Sequence, residues 1–298
     1  MQPDEIRDIL VRISPHWAGQ AFSATRFRHE DDGEFYDVWL IASDQAYSIL
    51  KRTRDMEWDV YNTFFQMHPP YAPKLLGSTA VEANRYLLLE YIPGHNLQRC
   101  TRPELTAALE SMIAMQDAYW GNTTLAGVGY TYPLSFTDRE KRGEYLNHPL
   151  LQRVYRKFLS LYAMTPRTLC HDDCLPFNVL IHGGRTVFID WEYGGILPYP
   201  VMLARLIAHG GSNPADLFYL LPEDREFAIS YYYQNLIQKK GISPQAYRRT
   251  LDYFLFYEYC EWIFVGNRYD ATDGAYYQKY LPIALAMAER LSDNAMQD

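Results

Sequence analysis

Along the first ninety residues, apolar and polar positions alternate with the period of two that belongs to strands, and one helical stretch interrupts them. Residues 21–28 are β-rich, Asp31-Asp32-Gly33 reads as a turn, and residues 35–41 resume an extended, aromatic run. A polar turn at 42–45 leads to a third run at 46–51, so a three-stranded meander is predicted. Between residues 55 and 67, Val60, Tyr61, Phe64 and Phe65 recur at helical spacing until Pro69-Pro70 stops the segment. Two further strands are predicted at 75–79 and 85–90, before Pro93-Gly94 breaks the pattern.

Beyond Asn96 the period changes to that of helices, at 103–119, at 137–161 and in several segments from Pro200 onward. One β signal stands alone there. The runs 178–182 and 185–190 are joined by Gly183-Gly184, the composition that primed hairpin turns favour. The expected fold is α+β and bilobal. A small mixed or antiparallel sheet lobe with one helix, residues 1–92, joins a larger, mainly helical lobe, residues 93–298.

At 48% hydrophobic and 21% charged, the chain has the apolar content of a folded protein, which disordered chains lack. No apolar run approaches the roughly 20 residues that span a bilayer, and residues 1–5 are acidic where a secretory leader is basic. A soluble, cytoplasmic protein without a membrane partner is expected. The net charge of -8 disfavours a broad nucleic-acid surface and favours cationic small molecules. Eight acids and three bases fall between Leu251 and Asp298, so the negative excess is concentrated at that end. Four cysteines are too sparse for a disulfide framework, and Cys170 and Cys174 lack a second Cys/His pair at zinc spacing, so buried free thiols are expected.

The chemistry gathers on and just before the hairpin. His171-Asp172-Asp173 is followed by Asn178 five residues after Asp173, and Asp190-Trp191-Glu192 closes the far end. Phosphoryl transfer to an alcohol needs a carboxylate to receive the hydroxyl proton and oxygen ligands for Mg²⁺. Asp173 suits the first role. Asn178 and Asp190, brought together by the hairpin, suit the second. Each residue alone also suits a turn, a cap or a backbone-bonded histidine; their order around one hairpin favours the chemical reading.

These motifs resemble the aminoglycoside phosphotransferase and choline kinase-like group, small-molecule kinases with the protein-kinase fold, from about residue 22 to about 208. The group's His-Gly-Asp loop has Asp172 in place of its glycine here, a change that alters the loop or adds a substrate-facing charge. The resemblance implies that Lys51 holds the α/β-phosphates of ATP, or of GTP in its place, and that Glu57 pairs with Lys51. It implies that backbone groups from Glu90 to Ile92 carry the base. Residues 19–25 contain one glycine where protein kinases have a Gly-rich loop, so Ser23 and neighbouring amides are expected to cover phosphate. No activation segment ending in Ala-Pro-Glu is present, which points to a small alcohol as acceptor rather than a protein.

By the same resemblance the acidic, aromatic C-terminal segment forms much of the acceptor pocket. Glu258 and Glu261, three apart on a helix with Trp262, would attract an amine through charge and ring faces, with Asp172 and Glu192 as further candidates. The plain alternative is solvated acids and core aromatics. Asp270 and Asp273 are weaker candidates of the same kind. Two functions remain: an ATP- and Mg²⁺-dependent kinase acting on a hydroxyl of a small, amine-bearing metabolite or antibiotic, aminoglycoside or choline-like, with a sugar, a macrolide or a homoserine-like alcohol left open as acceptors, or a silent relative that binds nucleotide or metabolite as a sensor. Lys51, Asp173, Asn178 and Asp190 are all present, which favours the enzyme.

Overall fold

A computed structural model of the chain describes residues 1–28, 33–44, 46–213, 216, 218–269 and 274–294. In chain order its elements begin with α1 (Pro3–Ile13), β1 (Phe22–Arg28), β2 (Phe35–Ser43), β3 (Tyr47–Thr53), α2 (Asp55–Phe64), β4 (Leu75–Val81), β5 (Asn84–Glu90) and β6 (His95–Asn96). Then follow α3 (Arg102–Ala118), α4 (Tyr132–Gly143), α5 (Pro149–Met164), β7 (Arg167–His171), β8 (Val179–His182), β9 (Arg185–Phe188) and β10 (Gly194–Pro198). The chain continues through α6 (Pro200–Ile207), β11 (Gly210–Gly211), β12 (Phe218–Tyr219), α7 (Pro222–Tyr232), α8 (Pro244–Tyr269) and α9 (Ala275–Asn294).

The five N-terminal strands form one sheet in the order β1-β2-β3-β5-β4, every pair antiparallel. The predicted meander is its first half; the turn residues Asp31, Asp32 and Gln45 lie outside the described residues. Residues directly opposite share a face, so the register aligns Thr25, Leu40, Ile49 and Leu89 across the sheet, with Ser23 and Lys51 on that same side. That side faces α2 and the helical lobe.

The opposite side carries Trp39, Ile41, Leu50, Tyr86 and Leu88, and here the structure corrects the expectation of one helix. A second helix, α1, covers this face with Ile6, Ile9 and Leu10. Pro3 and the first-turn acids Asp4 and Glu5 start it, and the Gln2 amide donates to the Glu5 carboxylate. An eleven-residue helix is marginal alone, so sheet packing supplies its stability.

Two further corrections concern the helical lobe. The stretch at 137–161 is not one helix: Pro149, at the first turn of α5, cannot continue α4. The hairpin at 178–190 is not the lobe's lone β structure, since β7 pairs antiparallel with β10, and β6 extends the β8-β9 hairpin. Within the hairpin Gly183 and Gly184 have φ of 56° and 79°, the left-handed pair that a two-residue primed turn requires. The main core runs from α2 through α3, α5 and α6 to α8 and α9. Among the described residues no helix is long and apolar enough to cross a membrane.

Candidate active site

Lys51 projects from β3 toward the helical lobe, where its ammonium lies 2.7 Å from Glu57 Oε2, 2.8 Å from Oε1 and 2.6 Å from Asp190 Oδ1. Glu57, in the first turn of α2, is 1% exposed and also accepts from the Trp191 backbone amide at 3.1 Å. One buried carboxylate therefore fixes both the lysine and the backbone next to Asp190. Asp190 itself has φ 64°, a left-handed conformation that costs a non-glycine about 1–2 kcal/mol and persists only when its surroundings impose it. Burial works against ionisation of Asp190, but the Lys51 ammonium outweighs it and holds the carboxyl below its usual range. Burial opposes the charge on Lys51 too, yet the two carboxylates hold its pKa above the usual value.

The loop after β7 is built on its own backbone. His171, fully buried, faces the Ile189 carbonyl through Nε2 at 2.7 Å and accepts the Asp173 amide at Nδ1 at 3.2 Å, which places its proton on Nε2. It packs against Trp191 and joins the two ends of the hairpin, a structural role. The Asn178 side-chain amide donates to the Asp173 carbonyl at 2.8 Å and to Asp173 Oδ2 at 3.2 Å, while the Asn178 carbonyl accepts the Ile189 amide. Asp173, Asn178 and Asp190 are thus held in one corner.

Beside Asp173 lies a cavity of about 160 Å³ whose lining includes Arg142, Asp172, Tyr193, Arg205, Glu258 and Glu261. Arg205, on α6, donates to Asp173 Oδ1 from Nη2 at 2.8 Å and from Nε at 3.3 Å, and to Glu258 from Nη1 at 3.0 Å. Arg142, on α4, donates to Glu261 at 2.8 Å and to the Tyr257 hydroxyl at 2.8 Å. Arg139, 1% exposed, donates to Asp172 at 2.6 Å and lies 4.6 Å from the ring centres of Tyr162 and Tyr257. Although burial opposes it, Arg139 holds the Asp172 carboxyl below its usual range.

Glu258 and Glu261 are therefore neither solvated nor unpaired: they are 2% and 8% exposed and each carries an arginine. Asp172, its side chain 9% exposed, is paired with Arg139 and lines the cavity. Trp262 does not reach this cavity; its indole N–H donates to His209 at 2.7 Å. Glu192 lies 2.5 Å from Arg54, and burial raises its pKa against the pull of that arginine. Ser23 is exposed on β1, on the Lys51 side of the sheet. The Glu90 carboxylate accepts two bonds from Arg185 at the hairpin tip, the Glu90 amide donates to Lys74, and the Ile92 carbonyl accepts from Gly94. Asp270 and Asp273 lie outside the described residues. Cys170 and Cys174 are buried free thiols, and no metal-binding cluster of His, Cys, Asp or Glu occurs among the described residues.

Sequence reasoning missed the three arginines. Arg205 carried one signal, a single charge inside the apolar run of α6, since a buried charge demands a partner. Nothing distinguishes Arg139 or Arg142 in the charged sequence of α4.

The model of a phosphotransferase enzyme family matches residues 57–220, more than half of the chain. No curated protein matches the sequence. Among solved structures, choline kinase from Cryptosporidium parvum Iowa II superposes with a TM-score of 0.68 at 14% identity, over 99% of this chain and 97% of that one. An amicoumacin kinase in complex with AMP-PNP and Ca²⁺ gives 0.65 at 12% identity, over 99% and 94%. A choline/ethanolamine kinase family protein from Mesorhizobium loti gives 0.60 at 17% identity, over 98% and 97%. The shared fold is the bilobal, protein-kinase-like α+β fold.

Proposed function

Because this chain belongs to the phosphotransferase enzyme family, we propose that it is a small-molecule kinase moving the γ-phosphate of ATP to the hydroxyl of a small, amine-bearing alcohol. The observation that carries this reading is the Lys51–Glu57–Asp190 cluster closing against the loop that holds Asp173 and Asn178. We assign nucleotide binding to residues 1–92 and catalysis with acceptor binding to residues 93–298.

The donor set fits Mg²⁺. The Asn178 amide nitrogen is spent on Asp173, which leaves its oxygen as the free donor, and Asp190 has one oxygen on Lys51 and a second to offer. One amide and one carboxylate oxygen suit a hard cation that keeps waters and phosphate oxygens as its other ligands. When bound, the cation neutralises phosphate charge. Lys51 steadies the nucleotide's phosphates, Ser23 and nearby amides cover them, and the Glu90–Ile92 backbone carries the base, with GTP the alternative donor. Asp173 orients the acceptor hydroxyl and takes its proton as the O–P bond forms.

Size and charge narrow the acceptor. Four carboxylates, Asp172, Asp173, Glu258 and Glu261, meet three guanidiniums, Arg139, Arg142 and Arg205, leaving one net negative charge around a cavity of about 160 Å³. That balance suits a singly charged amino alcohol better than a polycationic, multi-ring antibiotic. The test is ADP release with choline, ethanolamine, an aminoglycoside and an uncharged sugar. Mg²⁺-dependent turnover is expected with an amino alcohol, and Asp173→Asn is expected to lower it by roughly 10²–10⁴-fold while ATP still binds. ATP binding with no turnover on any alcohol would favour the sensor reading. An uncharged sugar as best substrate would overturn the acceptor class.

A further inference from the structure

A second cavity, of about 670 Å³, lies on the other side of α8, walled by α7, α8, α9 and β11. Its α8 residues Arg248, Asp252, Leu255 and Tyr259 recur at helical spacing on one face. Tyr257, Glu258 and Glu261, which line the first cavity, occupy a different face of the same helix. The two cavities are separate.

The second cavity has an apolar interior and a cationic rim. Ile229, Leu255 and Met287 line it and are otherwise buried, at 3%, 2% and 8% exposure. Three helices each bring one guanidinium, Arg225 from α7, Arg248 from α8 and Arg290 from α9, against two carboxylates, Glu226 and Asp252. Arg248 is taken up by Glu226 through two hydrogen bonds of 2.8 and 2.9 Å. Arg290 and Arg248 approach Asp252 only at 3.4 and 3.8 Å. Arg225 has no carboxylate partner among the described residues; its Nη2 donates to the Tyr259 hydroxyl at 3.1 Å. A protein with a net charge of -8 thus holds a surplus positive charge over an apolar recess.

We infer that this cavity binds an amphipathic anion, one carboxylate or phosphate head on an apolar body, with the head on Arg225 and the body against Leu255 and Met287. A guanidinium offers a planar fork of donors that matches either head, and its hydrogen bonds to an anion are stronger than neutral ones. The volume lies within the range of small-molecule sites.

Calorimetry on the full chain, at low salt, with octanoate, octyl phosphate, octanol and octyltrimethylammonium as probes tests this directly. Saturable one-to-one binding of an anionic probe is expected, the tighter of octanoate and octyl phosphate identifying the head. Octanol and the cation are expected to bind at least tenfold more weakly. Arg225→Met is expected to weaken the anion by about tenfold or more, and Met287→Trp, which fills the recess, to abolish binding with an unchanged circular dichroism spectrum. Neither AMP-PNP nor choline is expected to displace the anion. Equal binding of anion and cation, an Arg225→Met variant that binds like the parent, displacement by AMP-PNP, or no saturable binding would overturn the inference. Each readout is binding alone, so the result stands apart from whether the chain is a kinase.

Discussion

Arg205 shows how one residue links two parts of the site. Its guanidinium is shared between Asp173, the proposed base, and Glu258, which lines the cavity beside it. Without it Asp173 would keep only its bond from Asn178 on the other oxygen. Arg205→Met is therefore expected to lower kcat by at least tenfold with an unchanged KM for ATP, and added guanidinium ion is expected to restore part of the loss; steady-state kinetics checks both. Asp172 supports a pH prediction. Its folded pKa lies below the unfolded carboxylate value of about 3.9, so the stability it contributes is complete above that value and is lost as pH falls through the lower folded one. Asp172→Asn strands the buried Arg139 charge and is expected to cost about 3–5 kcal/mol near neutrality. Urea unfolding of parent and variant is expected to show a difference that holds from pH 7 down to about pH 4 and narrows as pH falls further.

At the scale of elements, α8 connects the core to the cavity proposed for the acceptor. Tyr257 stacks on Phe158 of α5 with ring centres 4.8 Å apart, and its hydroxyl donates to Glu261 at 2.8 Å. Phe158 is fully buried and also meets Phe254 edge to face. Phe158→Ala is expected to cost about 3–5 kcal/mol through the cavity it leaves. Because Tyr257 loses its stacking partner, KM for the alcohol is expected to rise while KM for ATP stays constant; thermal denaturation and kinetics measure the two effects.

For the whole molecule, the lobes meet through ion pairs anchored on the β8-β9 hairpin and the residues after it. Arg185 reaches Glu90 of β5 and the carbonyls of Pro70 and Ala72, Lys51 reaches Asp190, and Arg54 reaches Glu192. The nucleotide proposed to bind between them would be held only by the folded state, so AMP-PNP with Mg²⁺ at a hundred times its Kd is expected to add about 2.7 kcal/mol of stability. Lys51→Met is expected to remove most of that gain. A calorimetric Tm that rises with nucleotide equally in both proteins would take Lys51 out of the nucleotide site.

The sequence by itself determined what depends on neighbours along the chain. Alternation set the five strands, Gly183-Gly184 set the hairpin turn, and the spacing from His171 to Asp190 put the candidate catalytic residues around it. Periodicity placed Lys51 on the third strand and Glu57 in the helix after it, while their pairing was implied only by the resemblance to small-molecule kinases. Helix α1 went unread, because its eleven residues with the Ile6, Ile9 and Leu10 stripe depend on the sheet they cover. Only the tertiary structure decided the state of charge in the cavity beside Asp173. The acid excess of the last 48 residues suggested open carboxylates, yet Glu258 and Glu261 are met by arginines 53 and 119 residues away in sequence. A charge buried by packing must find its partner in space, and no local pattern records which partner that is.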